Sequence, residues 1–413
     1  MSRFGELNMK NAQQRITDTP PQKPVLVVGE YGVLNGGERS FLTVAKHLIA
    51  RGWSYVAAVP SDSPFEKALE GIGIRNVGLI THDAGGKRFS QIELRDQIAG
   101  LIAEVRPCLL HANSLSMSRL VGPLNVGVPS VGYLRDILKL SKTATADINQ
   151  NDRIVAVSDA TAQWHVSQGL DADRVVTVYN GVDSQVFRPL ECADEPDAEA
   201  VVVERLRAEL GLSAGDCVLL YVGQIGMRKG ISDLAEIFLL AAQQVPKLKL
   251  LIVGERHSTK GEAIQYEQDI RDRLEASSVG DRVNWLGRRE DVASLMQLAD
   301  VLLHPARQEP LGRVLLEASA SALPIVTTQV GGSPEILVGP LAAANLFPVG
   351  HNKQMAERIV QLSADRDLRH QIGHELRETA LHRFSIEHCE DSLGQAYFYA
   401  LDQPDRAIDT LEE

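Results

Sequence analysis

The chain has 413 residues, 44% hydrophobic and 23% charged, which is globular composition with enough length for two cores. Its net charge of −12 argues against nucleic acid as a partner. No apolar run reaches the roughly 18 residues of a membrane-spanning helix. Cys108, Cys192, Cys217 and Cys389 lie far apart with no C-x-x-C spacing, which argues against zinc and suits a reducing cytoplasm. The acidic excess sits almost entirely beyond residue 185. That asymmetry reads as solvated helix faces, or as an N-terminal half that tolerates an anionic acceptor or a membrane surface.

Residues 1–22 have no apolar core of a secretory signal and read as a polar, mobile leader. PVLVVG (24–29) is the first strand, and a glycine-containing loop leads to a helix over 37–51 with apolar Phe41, Leu42, Val44, Ala45 and Leu48. Further strands are expected at 55–59, 77–80, 109–112, 130–133, 154–157 and 175–179, with a helix over 91–105. Strands alternating with helices imply a parallel sheet covered on both faces. RPLECADEPDAEA (188–200) is acidic, contains proline and lacks periodicity, so it reads as a linker between domains 23–187 and 201–383. The second domain repeats the pattern, with strands at 218–222, 248–253, 283–286, 301–304 and 325–328. Helices are expected there at 231–244, 263–276, 291–298, 313–322 and 354–364. The architecture is α/β, two Rossmann-like domains with parallel sheets. Ligands of such sheets bind at the carboxyl ends of the strands, so two edges facing across a cleft can hold a donor and an acceptor. The alternative architecture is a dehydrogenase-like chain with one nucleotide domain.

The chemistry concentrates in HPARQEPLGRVLLEASASALPIVTTQVGGSPEIL (304–337). A helix start is expected near Gly312, where N–H groups of Leu311 and Gly312 can meet phosphate or sugar oxygens. Glu309 precedes that start. Glu317 lies a turn inside the helix, where it either holds two ribose hydroxyls or pairs with Arg313 as an i,i+4 neighbour. YVGQIGMRKG (221–230) runs from a strand into a loop carrying Arg228 and Lys229, cations suited to a leaving diphosphate. Gly223 and Gln224 open this loop. GEYGVLNGGERS (29–40) is not G-x-G-x-x-G; Gly36 and Gly37 either bring backbone to a ligand or serve helix packing. Arg135 and Asp136 follow a strand and either project into a cleft or form a structural pair. His111 and His304 are strand-end histidines and read as core or hydrogen-bonded groups. No His/Asp/Glu cluster has metal-ligand spacing, so no metal and no cofactor is expected.

The run from Glu309 to Glu335, with GGERSFLTVAKHL (36–48), IVAVSDATAQ (154–163) and VYNGVDSQVFRP (178–189), resembles the family-4 retaining glycosyltransferases over most of the chain. The resemblance implies the GT-B fold, an N-terminal acceptor domain, a C-terminal donor domain, and a last segment, 384–413, whose helix crosses back to the N-terminal domain. It implies a hexosyltransferase-like enzyme of polysaccharide biosynthesis. A sugar would pass from a nucleotide-diphospho-sugar, a UDP-sugar as first choice, to a glycan, lipid-linked or small-molecule acceptor, with retention and without metal. Glu309 would contact the donor sugar, Glu317 the ribose and Lys229 the diphosphate, with Arg228 substituting for the cation that Gln224 cannot supply. Gly223, Gln224, Leu311, Gly312 and Arg313 would line the donor, and Gly36, Gly37, Arg135 and Asp136 the acceptor side, Arg135 standing where the family often has histidine. The setting would be cytoplasmic, with peripheral contact to the inner face of the membrane through the N-terminal domain. The alternatives are an inactive sugar- or partner-binding relative and an NAD(P) oxidoreductase.

Overall fold

A computed structural model describes residues 19–402. Most of the expected leader and the tail beyond residue 402 lie outside the described residues. The chain divides into two compact units: residues up to Gly181 together with those from Ile386 on, and Val182–Ser385. None of the described helices is long and apolar enough to cross a membrane.

The first unit carries a seven-stranded sheet. In chain order its strands are β1 (Val25–Val28), β2 (Tyr55–Ala58), β3 (Arg75–Asn76), β4 (Leu109–Ala112), β5 (Ser130–Leu134), β6 (Arg153–Ala156) and β7 (Val175–Thr177). Their spatial order is β3-β2-β1-β4-β5-β6-β7, all parallel. Every residue of β1, β2 and β4 is buried, because helices cover both faces and leave no solvent side to accept polar alternation. Strand order reverses at the β1/β4 junction, so the loops after these strands flank a crevice at their carboxyl ends. Helix Gly36–Ala50 starts there.

Helix Ile386–Leu401 packs within this first unit. Its Tyr397 hydroxyl hydrogen-bonds His111 Nδ1 at 2.7 Å, and its buried Glu390 pairs with Arg51. Trp53 meets Tyr397 edge-on, with ring centroids 5.1 Å apart.

The second unit carries β8 (Cys217–Val222), β9 (Leu248–Val253), β10 (Val283–Gly287), β11 (Val301–His304), β12 (Ile325–Thr328) and β13 (Leu346–Phe347). The order is β10-β9-β8-β11-β12-β13, again parallel. Here the order reverses between β8 and β11, where Val301 pairs with Leu219. The loops leaving β8 and β11 therefore emerge side by side.

Two expectations need correction. Residues 77–80 are not a strand; β3 ends at Asn76. Val77 and Leu79 still donate to the carbonyls of Ala57 and Val59, but Gly78 turns to φ 75°. The Asn76 amide takes over the pairing, bonding both the N–H and the carbonyl of Val59 at 3.1 Å. Residues 188–200 are not an irregular linker between the units. A short 3-10 turn at Leu190–Cys192 precedes helix Pro196–Glu209. Proline at the first helical position, with Asp197 and Glu199 in the first turn, is a helix start, and the same residues gave the stretch its loop-like composition. Arg188 binds Asp194 at 2.9 Å and Glu199 at 3.0 Å, and its carbonyl accepts from Gln297, so the segment is folded into the second unit. The unit boundaries fall at Gly181 and Ser385 instead.

Candidate active site at the β8/β11 switch point

The loop after β8 passes through a 3-10 turn, Met227–Lys229, to helix Ile231–Ala242. Gly230 joins the two at φ 67°, and a Cβ there would lie 1.8 Å from the Pro305 carbonyl oxygen. Only glycine permits both the left-handed backbone and this approach of the two loops. The Arg228 carbonyl accepts the N–H groups of Arg307 (2.9 Å) and Gln308 (3.3 Å), lacing the loop after β8 to the loop after β11.

That lacing brings Lys229 to Glu309. Lys229 Nζ lies 2.5 Å from Glu309 Oε2, and the same oxygen meets His304 Nε2 at 2.7 Å. Glu309 is 6% exposed and His304 1%. Burial alone would raise the Glu309 carboxyl, but the Lys229 ammonium and the His304 hydrogen bond outweigh it and bring the group to about 2. Glu309 is therefore a carboxylate at any physiological pH. A carboxylate oxygen only accepts, so His304 donates to it from Nε2, while its Nδ1 is buried with no hydrogen-bond partner. Tyr221 of β8 stacks on that ring, with centroids 6.4 Å apart, and its hydroxyl donates to the Gln224 carbonyl at 2.9 Å.

The remainder of the loop after β11 is pinned from β12. Thr327 Oγ1 donates to the His304 carbonyl at 2.7 Å, Thr328 Oγ1 donates to that of Ala306, and Gly332 N–H donates to that of Glu309 at 3.1 Å. The loop after β12, with adjacent Gly331 and Gly332, thus spends one N–H on holding Glu309. Gly312 caps helix Arg313–Ala320 at φ 102°, against Glu309 Cγ, and Leu311 beside it is buried. Arg313 and Glu317 form the i,i+4 pair at 2.9 Å that their spacing allows. Gly223 lies under Gly254, where a Cβ would come 1.9 Å from the Gly223 carbonyl oxygen.

The expected acceptor-side residues form their own cluster in the first unit. Gly37 leaves room for the Arg135 side chain, whose Cδ would lie 2.9 Å from a Cβ there. Arg135 binds Asn113 Oδ1 at 2.9 Å and Asn180 Oδ1 at 3.3 Å, and lies over the Tyr133 ring at 3.9 Å. The Asp136 carbonyl accepts from His165 Nε2 at 2.8 Å. Gly36 opens helix Gly36–Ala50. His111 is a core histidine: burial, then the Arg135 charge, lower it to about 3, against the Asn113 hydrogen bond.

Of the sequence-derived candidates, Lys229, Arg228, Glu309 and Gly312 converge on one loop pair. His304 is the buried, hydrogen-bonded histidine that its strand-end position led us to expect, and its partner in this site is Glu309. The signal for it was its place as the last residue of β11.

Residues 202–379 match the family described as Glycosyl transferases group 1, and residues 34–186 match Glycosyltransferase Family 4. The chain belongs to the family-4 glycosyltransferases of the GT-B fold. Among its relatives, N-acetyl-alpha-D-glucosaminyl L-malate synthase of Bacillus anthracis is 27% identical over 255 residues, 62% of this chain and 61% of that one. Spore coat protein SA of Bacillus subtilis is 28% identical over 59% of this chain and 64% of its own. The chain thus spans about three fifths of the length of these curated relatives. In fold, this glycosyltransferase chain is similar to Anabaena HepE, solved with UDP and glucose, at a TM-score of 0.76 and 22% identity, covering 91% of this chain and 99% of that one. A glycosyltransferase of Rickettsia africae superposes at a TM-score of 0.77 with 17% identity, over 93% and 100% of the two chains.

Proposed function

We propose that this family-4 member is a metal-independent, retaining glycosyltransferase that takes its sugar from a nucleotide-diphospho-sugar, a UDP-sugar first. The observation that carries this reading is the Lys229–Glu309–His304 cluster, with Glu309 and His304 buried, at the strand-order reversal of the second unit. A leaving diphosphate gains negative charge as the anomeric C–O bond breaks with its electron pair on the phosphate oxygen. Lys229 has three N–H donors, so it can keep Glu309 and still donate to that oxygen. Arg228 on the same turn adds a second cation where Gln224 supplies none. The acceptor hydroxyl oxygen bonds the anomeric carbon on the face the diphosphate leaves, and its proton departs with the leaving group. Glu309, held by Lys229 and His304, would face the donor sugar, and Glu317 would take the ribose in place of Arg313. The complexes of HepE with UDP and with UDP-glucose support the choice of nucleotide.

The acceptor is a hydroxyl of a glycan, a lipid-linked glycan or a small molecule, met by Gly36, Gly37, Arg135 and Asp136. Exposed Tyr31 and Val33 after β1 and Leu138 after β5 favour a lipid-linked one, with the protein in the cytoplasm and its first unit against the inner face of the membrane.

Calorimetric titration with UDP, GDP and ADP, followed by turnover of the matching nucleotide-sugars with and without EDTA, tests the proposal. UDP binding with EDTA-resistant turnover is expected. Loss of turnover in EDTA, restored by Mg²⁺ or Mn²⁺, would overturn the metal-independent step, and binding without any turnover would make the chain an inactive relative. Inversion at the anomeric carbon of the product would overturn retention.

A further inference from the structure

The Lys229–Glu309 pair is assembled from two loops, so something must fix the loops against each other. Asp233 stands in the first turn of helix Ile231–Ala242, four residues after Lys229, and is 6% exposed. Arg307 stands two residues before Glu309. Its guanidinium grips Asp233 with two hydrogen bonds, Nε to Oδ2 at 2.8 Å and Nη2 to Oδ1 at 3.0 Å. From the other side, buried Asn352 donates to Asp233 Oδ1 at 3.2 Å and to Glu236 Oε2 at 3.0 Å. Arg307 is therefore held twice, through its side chain to Asp233 and through its backbone N–H to the Arg228 carbonyl.

We infer that Asp233 and Arg307 are positioning residues that set the Lys229–Glu309 distance, a role that rests on the donor-site reading above. A bidentate guanidinium–carboxylate pair fixes both distance and plane, which a single lysine contact does not. The pair bridges the segment that carries Lys229 and the segment that carries Glu309. The two backbone bonds at Arg228 also tie the loops, but both converge on one carbonyl oxygen and so do not fix their relative orientation. The half-exposed Arg307 side chain gives the pair little value as a core contact, since exposed pairs contribute modestly to stability. Its value lies in registering one loop on the other.

The test uses full-length protein in the wild-type, Asp233→Asn, Asp233→Glu, Arg307→Met and Arg307→Lys forms. The first readout needs no ligand: the ¹⁵N ammonium NMR signal of Lys229, assigned by its loss in Lys229→Met. The second is UDP affinity by calorimetry. In Asp233→Asn and Arg307→Met the Lys229 signal should move and broaden towards solvent exchange, and the UDP dissociation constant should rise about tenfold, as for loss of one well-placed charged hydrogen bond. Asp233→Glu should recover part of both, and Arg307→Lys less. Arg307 is half-exposed, so its variants remain informative should Asp233→Asn fail to fold. An unchanged Lys229 signal in both Arg307 variants would overturn the inference, even with a lowered melting temperature. A wild-type protein that binds no UDP would overturn the donor reading, while the ammonium signal still decides the positioning role.

Discussion

Lys229 and Glu309, eighty residues apart in sequence, meet at 2.5 Å because β8 and β11 are neighbours at the strand-order reversal. One carboxylate oxygen carries both Lys229 and His304, so the pair is a three-residue unit and its members respond together to substitution.

The first consequence concerns pH. Glu309 moves from an ordinary 4.5 to about 2 in the folded protein. A lowered carboxyl contributes stability that is present above the unfolded value and lost as pH falls through the folded one. Denaturation of wild type and Glu309→Gln from pH 2 to pH 7 should show a stability difference that grows between pH 2 and about 4.5. Above that it should be flat, the rise being on the order of 3 kcal/mol. A pH-independent difference would show that the carboxylate is not held ionised by its partners.

Lys229→Met should be the most damaging single change at the cation loop. Turnover should fall by on the order of 3 kcal/mol in barrier, the usual loss of one donor to developing charge. Stability should fall too, because Glu309 remains buried with His304 alone, and breaking a buried pair costs about 3–5 kcal/mol. Arg228→Met, on the same turn, should lower turnover less. Turnover and chemical denaturation of both variants check the assignment, and the reverse pattern would move the diphosphate role to Arg228.

Glu317 tests binding against packing. The Arg313–Glu317 pair at 2.9 Å is worth about 0.2–0.5 kcal/mol as an i,i+4 contact. If ribose replaces Arg313, Glu317→Gln should weaken UDP and UDP-sugar together. Equal UDP affinity by calorimetry in wild type and variant would confine Glu317 to the helix surface.

Gly230→Ala should be far more destructive than Gly226→Ala. At Gly230 a Cβ collides with the Pro305 carbonyl and needs a left-handed backbone, whereas at Gly226 the space is open and φ is extended at 178°. The left-handed residue alone costs about 1–2 kcal/mol. Urea midpoints should drop for the first variant and stay close to wild type for the second, and UDP binding should fall with the first.

Much of this protein was legible in the chain itself. Buried runs such as VLVV (25–28) and LLIV (250–253) need no partner to be recognised, because parallel strands covered on both faces are nearly continuously apolar. The helix start at Gly312 and the cations at 228–229 were visible because backbone freedom and charge are local properties. Composition misled where one signal has two meanings: the acids and proline of 188–200 suggested a loop and belong to a helix start. What only the tertiary structure decided is which residues share an atom. No spacing reveals that His304 and Lys229 both bind Glu309 Oε2, or that Arg307 reaches Asp233. Those distances depend on a strand order that brings β8 beside β11, and strand order is set by non-local packing, not by the sequence of either strand.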